Sequence, residues 1–185
     1  MSLPNLIRWG GLAAVLGGGL FIIADLVTLA FAVQEAPGVV LFRRVLRSVA
    51  GVLLLLGLGG LYARQSEVLG VLGLLGFLGA FFGTALAQQN PVWAALLSNL
   101  GFVLFGAACL VAKVYPRAAV IMLIVGVLLS AVVNALVVSS GAFAGSLRFV
   151  WVAMVVDIIF EAAIVWLGIS LFTSEGLEAQ QRPQS

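Results

Sequence analysis

The chain has 185 residues, 63% of them apolar and 9% charged, and its mean hydropathy is +1.25. Soluble globular domains have about a quarter of their residues charged, so this composition excludes that class and predicts a single-domain membrane protein. The net charge of +2 is small, and the chain contains no histidine and one cysteine, Cys109, within an apolar run. A nucleic-acid surface, an intrachain disulfide and a haem or zinc site are therefore not expected, and we predict neither a cofactor nor a metal.

Six apolar runs are each about 20 residues long, which is the length that an α-helix needs to cross the hydrocarbon core of a bilayer. The polar breaks between them are short, and antiparallel helices joined by short turns form compact bundles. The sequence therefore predicts an all-α polytopic membrane protein with six transmembrane helices in one bundle over residues 1–173, and a disordered cytoplasmic tail over 174–185. The predicted spans are 10–33, 45–63, 68–88, 92–112, 117–139 and 148–172.

The N-terminal part of the chain leaves two alternatives open. Arg8, the apolar run after it and the triplet Ala30-Phe31-Ala32 also resemble a cleaved secretory signal. This run is longer than a signal core and contains Asp25, so we expect the first span to be retained. Residues 38–44, which precede the second span, are long enough to form a separate short helix at the membrane surface.

The basic residues lie at the ends of the apolar runs and indicate the orientation. With a cytoplasmic N-terminus, the inner turns carry basic residues, whereas the outer turn QQNP carries none. The inner set is Arg8, Arg64, Lys113, Arg117 and Arg182, and the outer set is Arg43, Arg44, Arg47 and Arg148. The aromatic residues expected at the inner interface are Trp9, Tyr62 and Tyr115, and those expected at the outer interface are Trp93 and Trp151. We predict cytoplasmic N- and C-termini and a location in the cytoplasmic (inner) membrane.

Polar side chains occur inside all six predicted spans, and nearly all of them fall between the midplane and the outer surface. A polar group that faces lipid has no hydrogen-bond partner, so these side chains are expected to face the interior of the bundle. They predict an intramembrane polar pocket that opens outward and binds a ligand. Its predicted lining is Asp25, Arg47, Thr84, Asn99, Ser130, Asn134, Asp157 and Glu161.

Asp25 and Arg47 lie at a similar depth in neighbouring spans, which predicts a salt bridge between them. One interpretation is a structural ion pair that fixes the register of two helices and adds little stability. The other is that Arg47, together with Arg44 and Arg148 near the same mouth, binds an anionic group such as a carboxylate, a phosphate or a lipid headgroup.

Asp157 and Glu161 are four residues apart in the last span and therefore leave the same face of the helix. Two carboxylates at close range in a low dielectric do not readily both ionise, so we expect them to share one proton. Such a pair is typical of a proton-coupled carrier or a cation site. In the alternative, structural interpretation, each carboxyl group is hydrogen-bonded to a nearby serine, asparagine or backbone carbonyl.

Glycine is frequent, with 22 residues, and small residues follow helical spacing in two spans. These small-residue stripes are Gly73, Gly76, Gly79 and Gly83 in span three, and Gly11, Ala14 and Gly18, on the same stripe as Asp25, in span one. Small residues let helix backbones approach closely in a membrane. The stripes therefore predict either close packing within the bundle or a dimer face.

Two stretches carry a family resemblance, GLGGLYARQSEVLGVLGLLGFLGAFFGTALA and FGAACLVAKVYPRAAVIMLIVG. The GLYARQ turn, the glycine-rich third span and the basic-Pro-Arg turn before the fifth span resemble small multi-pass proteins of actinobacteria and Chloroflexi, in the style of the DUF4386 group. The resemblance implies a bacterial cytoplasmic-membrane location. It brings no activity and no binding residues with it.

Three functions are compatible with these features. The leading hypothesis is a protein that binds a small or lipidic ligand, or an accessory subunit of a membrane complex. The alternative is a small proton- or cation-coupled transporter or channel that assembles as an oligomer. An intramembrane enzyme that uses Asp157 and Glu161 as an acid/base pair is third, because P-loop, GxSxG, HExxH and CxxC motifs are absent. The expected partners are the lipid bilayer and either other membrane subunits or further copies of the chain, and nucleic acid is not expected.

Overall fold

A computed structural model of the protein describes residues 3–31, 36–86, 91–140 and 147–181, and these residues form an all-α fold. The helices in chain order are α1 Leu3–Ala30, α2 Pro37–Ala63, α3 Gly70–Leu86, α4 Pro91–Ala112, α5 Arg117–Ser140 and α6 Leu147–Gln181. Each coincides with one predicted apolar run. The predicted helical class is therefore confirmed.

Three helices differ in extent from the predicted spans. Helix α1 begins at Leu3, before the predicted start at residue 10. Residues 38–44 do not form a separate surface helix, because α2 runs without interruption from Pro37 to Ala63. Proline is well placed at the start of this helix, and no further proline follows it before the helix ends. At the other end of the chain, α6 continues to Gln181, whereas the sequence predicts a disordered tail from residue 174. The segment SEGLEAQQ contains several good helix formers, which allows the helix to continue beyond the apolar run.

The helices are arranged in a ring that follows the chain order. Helix α1 packs extensively against α2 on one side and α6 on the other, α3 packs against α4, and α5 lies between α4 and α6. The contact between α2 and α3 closes the ring and is less extensive than the others. Few residues separate consecutive helices in the sequence, so each helix has its chain neighbours beside it.

Small residues occupy the closest contacts between helix backbones. A Cβ atom on Gly57 of α2 would lie 2.7 Å from the Cα atom of Ala14 in α1, closer than real Cβ contacts come. Gly76 of α3 is packed in the same way against the backbone of Phe105 in α4. At these positions the small-residue stripes serve packing within the bundle, as one of the two interpretations predicts.

The outer surface of the bundle is apolar on all six helices, where large apolar side chains are more than a third exposed. By length and composition, three segments of the described chain can cross a membrane: Asn5–Ala30, Trp93–Ala112 and Trp151–Thr173. Helix α3 (Gly70–Leu86) and the apolar segment Arg117–Val133 of α5 are shorter than these three segments. Helix α2 carries three arginines in its first half. The structure thus supports a membrane protein with a helical bundle.

Of the aromatic residues predicted at the membrane interfaces, three tryptophans are exposed, whereas Tyr115 is buried. Trp9, Trp93 and Trp151 are each more than half exposed near helix starts. The side chain of Tyr115 is buried, and its hydroxyl donates a hydrogen bond of 3.1 Å to the backbone carbonyl of Leu61. Burial raises the pKa of this phenol, so it remains a neutral donor. Tyr115 therefore links the turn between α4 and α5 to the end of α2 by a hydrogen bond and does not face lipid.

Candidate ligand-binding site

The helices surround a cavity of about 300 Å³, and each of the six contributes to its wall. Six of the eight predicted site residues line it: Arg47, Thr84, Asn99, Ser130, Asp157 and Glu161. Asp25 is fully buried and reaches the cavity through its contact with Arg47. The side chain of Asn134 lies outside the described residues.

The predicted ion pair between Asp25 and Arg47 is present and joins α1 to α2. The guanidinium Nη2 of Arg47 donates to the carboxylate Oδ1 of Asp25. The Asp25 side chain is 1% exposed, whereas that of Arg47 is 42% exposed. The ion pair thus consists of a fully buried anion and a cation whose far side still reaches the cavity wall.

Two hydroxyl contacts link the remaining helices around the cavity. The Oγ of Ser130 in α5 donates a hydrogen bond of 2.9 Å to Oδ1 of Asp157 in α6. The hydroxyl groups of Thr84 in α3 and Ser98 in α4 lie 3.5 Å apart, and either can be the donor. Ser98 also lines the cavity and was not among the predicted site residues. These contacts join polar groups of neighbouring helices across the cavity wall.

Glu161 is the most isolated polar group in the cavity wall. Its side chain is 6% exposed, and the carboxyl oxygen Oε2 has no hydrogen-bond partner among the described residues. Gly18 positions it, because a Cβ atom there would lie 3.1 Å from the backbone carbonyl oxygen of Glu161, so α6 can come close to α1. A buried polar atom without a partner is energetically costly, so this oxygen requires an explanation. The shared proton with Asp157 stays a prediction.

Three phenyl rings form the apolar part of the wall, and sequence reasoning missed them. The rings of Phe102 and Phe160 meet edge to face with centroids 4.9 Å apart, and Phe21 lines the cavity from α1. Gly126 of α5 makes room for Phe160, because a Cβ atom there would lie 2.9 Å from the Cα atom of Phe160. Helical spacing was the available signal. The phenylalanines follow or precede predicted site residues by three or four positions: Phe21 and Asp25, Phe102 and Asn99, and Phe160 and Asp157.

A second, more open groove of about 390 Å³ lies between α1, α2 and α6. Its lining consists of Thr28, Val40, Arg43, Arg44, Arg47 and Met154. Arg47 therefore belongs to both the cavity and the groove. The predicted binding of an anionic group by Arg44 and Arg47 stays a prediction, and the side chain of Arg148 lies outside the described residues.

The cavity wall combines polar and apolar side chains. Among the described residues, no group of three or more His, Cys, Asp or Glu side chains is arranged to hold a metal ion. The wall contains hydroxyl, amide, guanidinium and carboxyl groups together with phenyl and aliphatic groups.

Comparison with protein-family models, with curated proteins and with solved structures gave no match. The resemblance to small multi-pass membrane proteins of the DUF4386 type therefore stays a prediction.

Proposed function

We propose that the chain is a multi-pass protein of a bacterial cytoplasmic membrane, with six membrane-spanning helices and both termini in the cytoplasm, and that its cavity binds a small or lipidic ligand. The apolar exposed faces of α2, α3 and α5 support six spans, although α2 carries three arginines and the apolar segments counted in α3 and α5 are short. Each of the three also packs beside one of the longer apolar helices. The basic residues in the inner turns support the orientation.

The observation that carries the ligand-binding proposal is the cavity of about 300 Å³ with a wall drawn from every helix. Small-molecule sites are roughly 300–1,000 Å³ in volume and mostly apolar, with a few polar groups that orient the ligand. In this cavity the polar groups come from α2 to α6 and the phenyl rings from α1, α4 and α6. The polar part of an amphipathic ligand can hydrogen-bond to the polar groups, and its apolar part can pack against the phenyl rings.

The test fills the cavity with a bulky side chain and measures whether the purified protein still retains a bound small molecule. Ala95→Trp places a bulky ring in the cavity wall, whereas the matched control Leu96→Trp adds the same ring where the side chain is 57% exposed on the outside of α4. We expect protein purified in lipid nanodiscs to carry a small molecule detectable by mass spectrometry of an organic extract. Ala95→Trp should lose it and Leu96→Trp should keep it. Equal retention in two folded variants contradicts the proposal.

An accessory-subunit role is a form of the same proposal, in which the cavity serves a larger assembly. Gentle solubilisation from the native membrane, followed by size-exclusion chromatography and protein mass spectrometry, tests it. A partner at a fixed stoichiometry supports the subunit role. A chain that purifies alone or as a homo-oligomer contradicts it and leaves the ligand-binding proposal standing.

A coupled carrier is the second candidate, and the buried, unpartnered Oε2 of Glu161 in the cavity wall favours it. Carboxyl groups inside membranes are costly and recur in proton and cation pathways. Proteoliposomes loaded with a pH-sensitive dye separate the candidates. A carrier passes protons under an imposed cation gradient and loses this flux in Glu161→Gln, whereas a binding protein gives no flux above that of empty liposomes.

A further inference from the structure

We propose that the ligand of the cavity is an organic cation, an amine or quaternary ammonium compound with small apolar substituents. This inference rests on the proposed ligand-binding function and names its substrate class. It depends on three features of the cavity wall: the balance of charges, an acceptor atom without a donor, and the aromatic rings.

The charges of the described wall leave an excess of acidic groups. Asp157 and Glu161 both line the cavity, and the basic side chain beside them is Arg47. Arg47 is already engaged, since its guanidinium is bonded to the buried carboxylate of Asp25. The Asp25–Arg47 pair is neutral as a unit, and with one proton shared between Asp157 and Glu161, as the sequence predicts, the cavity keeps one negative charge. A cationic ligand is attracted to such a wall and an anionic ligand is repelled.

Glu161 supplies an acceptor that lacks a donor. Its Oε2 is buried and has no hydrogen-bond partner among the described residues. Asp157, one helical turn away, already accepts from Ser130 through Oδ1, so the two acids are not equivalent. The ammonium group of a protonated amine carries N–H donors that a carboxylate accepts, and a hydrogen bond between two charged groups is about twice as strong as one between neutral groups. A quaternary ammonium group has no N–H donor and pairs with the carboxylate through its charge.

The phenyl rings favour an organic cation over a metal ion. Phe21, Phe102 and Phe160 line the same cavity as the two carboxyl groups, and the face of a phenyl ring attracts a cation within about 6 Å of its centroid. A hard metal cation instead requires about six or more oxygen ligands, and no metal-holding group occurs in the described part of the chain. Carboxyl groups together with rings select a cation that also has apolar surface.

The experiment compares three probes of nearly the same shape that differ in charge. Choline is the cation, 3,3-dimethylbutan-1-ol is its neutral analogue with carbon in place of nitrogen, and 3,3-dimethylbutanoate is the anion. Affinities are measured by calorimetry on the protein in nanodiscs. We expect choline to bind about tenfold or more tightly than the neutral alcohol, and the butanoate to bind least.

Substitutions in the wall identify the groups responsible. Glu161→Gln or Asp157→Asn alone leaves the other carboxyl group free to ionise, so the double variant Asp157→Asn/Glu161→Gln is the one that keeps the shape and removes the charge. It should weaken choline binding about tenfold while leaving the neutral alcohol unchanged. Phe160→Leu should weaken choline binding by roughly threefold to thirtyfold. The matched control is Glu67→Gln, because Glu67 is exposed in the turn between α2 and α3 and should have no effect.

The outcomes separate this inference from the function on which it rests. Retained binding of the neutral alcohol shows that an acidic-residue variant is folded, so a selective loss of choline binding supports the proposal. Neutral or anionic probes that bind as tightly as choline overturn the cation class and leave a ligand-binding cavity. If no probe binds, the cation inference fails, and the extract from the Ala95→Trp comparison decides independently whether the cavity holds a ligand at all.

Discussion

Polar contacts at the residue level join consecutive helices in pairs around one cavity. The pairs are Asp25 with Arg47 between α1 and α2, Thr84 with Ser98 between α3 and α4, and Ser130 with Asp157 between α5 and α6. In a lipid environment such contacts fix how far one helix is shifted along its neighbour, because a slipped register leaves polar groups without partners. The ion pair is the contact with the largest consequence, since its acidic member is fully buried.

The ion pair predicts an unequal effect of its two single substitutions. Arg47→Gln leaves the carboxylate of Asp25 buried without its partner, and we expect a loss of about 3–5 kcal/mol of unfolding free energy. Asp25→Asn should cost less, because the Arg47 side chain is 42% exposed and can turn towards water or lipid headgroups. The double variant Asp25→Asn/Arg47→Gln should be more stable than Arg47→Gln alone. Reversible unfolding in mixed micelles measures all three.

The control for this cycle is Arg44→Gln, which removes a guanidinium from an exposed neighbouring position of α2 and should change stability little. Additive effects of the two single substitutions would show that Asp25 and Arg47 do not interact.

At the level of helices, packing depends on the absence of side chains at a few positions. Helices α1 and α2 touch where Gly57 meets Ala14, and α3 and α4 touch where Gly76 meets the backbone of Phe105. Lipid tails are as apolar as leucine, so association in a membrane relies on close van der Waals contact more than on burial from water. The ion pair between Asp25 and Arg47 joins the same two helices about three turns away.

A methyl group at Gly57 should separate these two helices. In Gly57→Ala the new Cβ atom would lie 2.7 Å from the Cα atom of Ala14, so the backbones must move apart, and we expect a destabilisation of about 1–3 kcal/mol. Gly59→Ala is the matched control in the same helix, because a Cβ atom there meets nothing within 4 Å. It should leave the unfolding midpoint unchanged or raise it slightly, since alanine favours helix over glycine. Equal effects of both substitutions would contradict this packing.

At the scale of the whole molecule, the proposed topology has to account for the ring of helices and for the apolar outer surface. Large apolar side chains are exposed on all six helices, including the three that are shorter or carry arginines. A soluble protein seldom exposes so continuous an apolar surface. If all six helices cross the bilayer, consecutive helices alternate in direction and both termini lie on one side.

Reporter fusions test this topology. We expect a reporter at the C-terminus and one inserted in the turn after α2, near Ser66, to be cytoplasmic, and one in the turn between α3 and α4 to be outside. The reasons are the even number of proposed spans and the basic residues of the inner turns. A C-terminal reporter outside the cytoplasm would show that the number of spans is odd or the orientation reversed. Glycosylation or cysteine-labelling scans at the same turns provide an independent readout.

The sequence by itself determined the helical class and the approximate place of each helix. An apolar run of about 20 residues must satisfy its backbone hydrogen bonds internally when it lies in a membrane, so it is helical whatever surrounds it. The rise of about 1.5 Å per residue then sets the level of each side chain, which is why the ion pair between Asp25 and Arg47 was predictable.

Only the tertiary structure decided which helix faces meet. It placed α1 between α2 and α6, added the rings of Phe21, Phe102 and Phe160 to the cavity, and showed that Tyr115 turns inward to the carbonyl of Leu61. Helical periodicity shows which residues share a face, but not which neighbouring helix that face contacts. That choice depends on how all six helices pack at once, because each close contact leaves less room for the next.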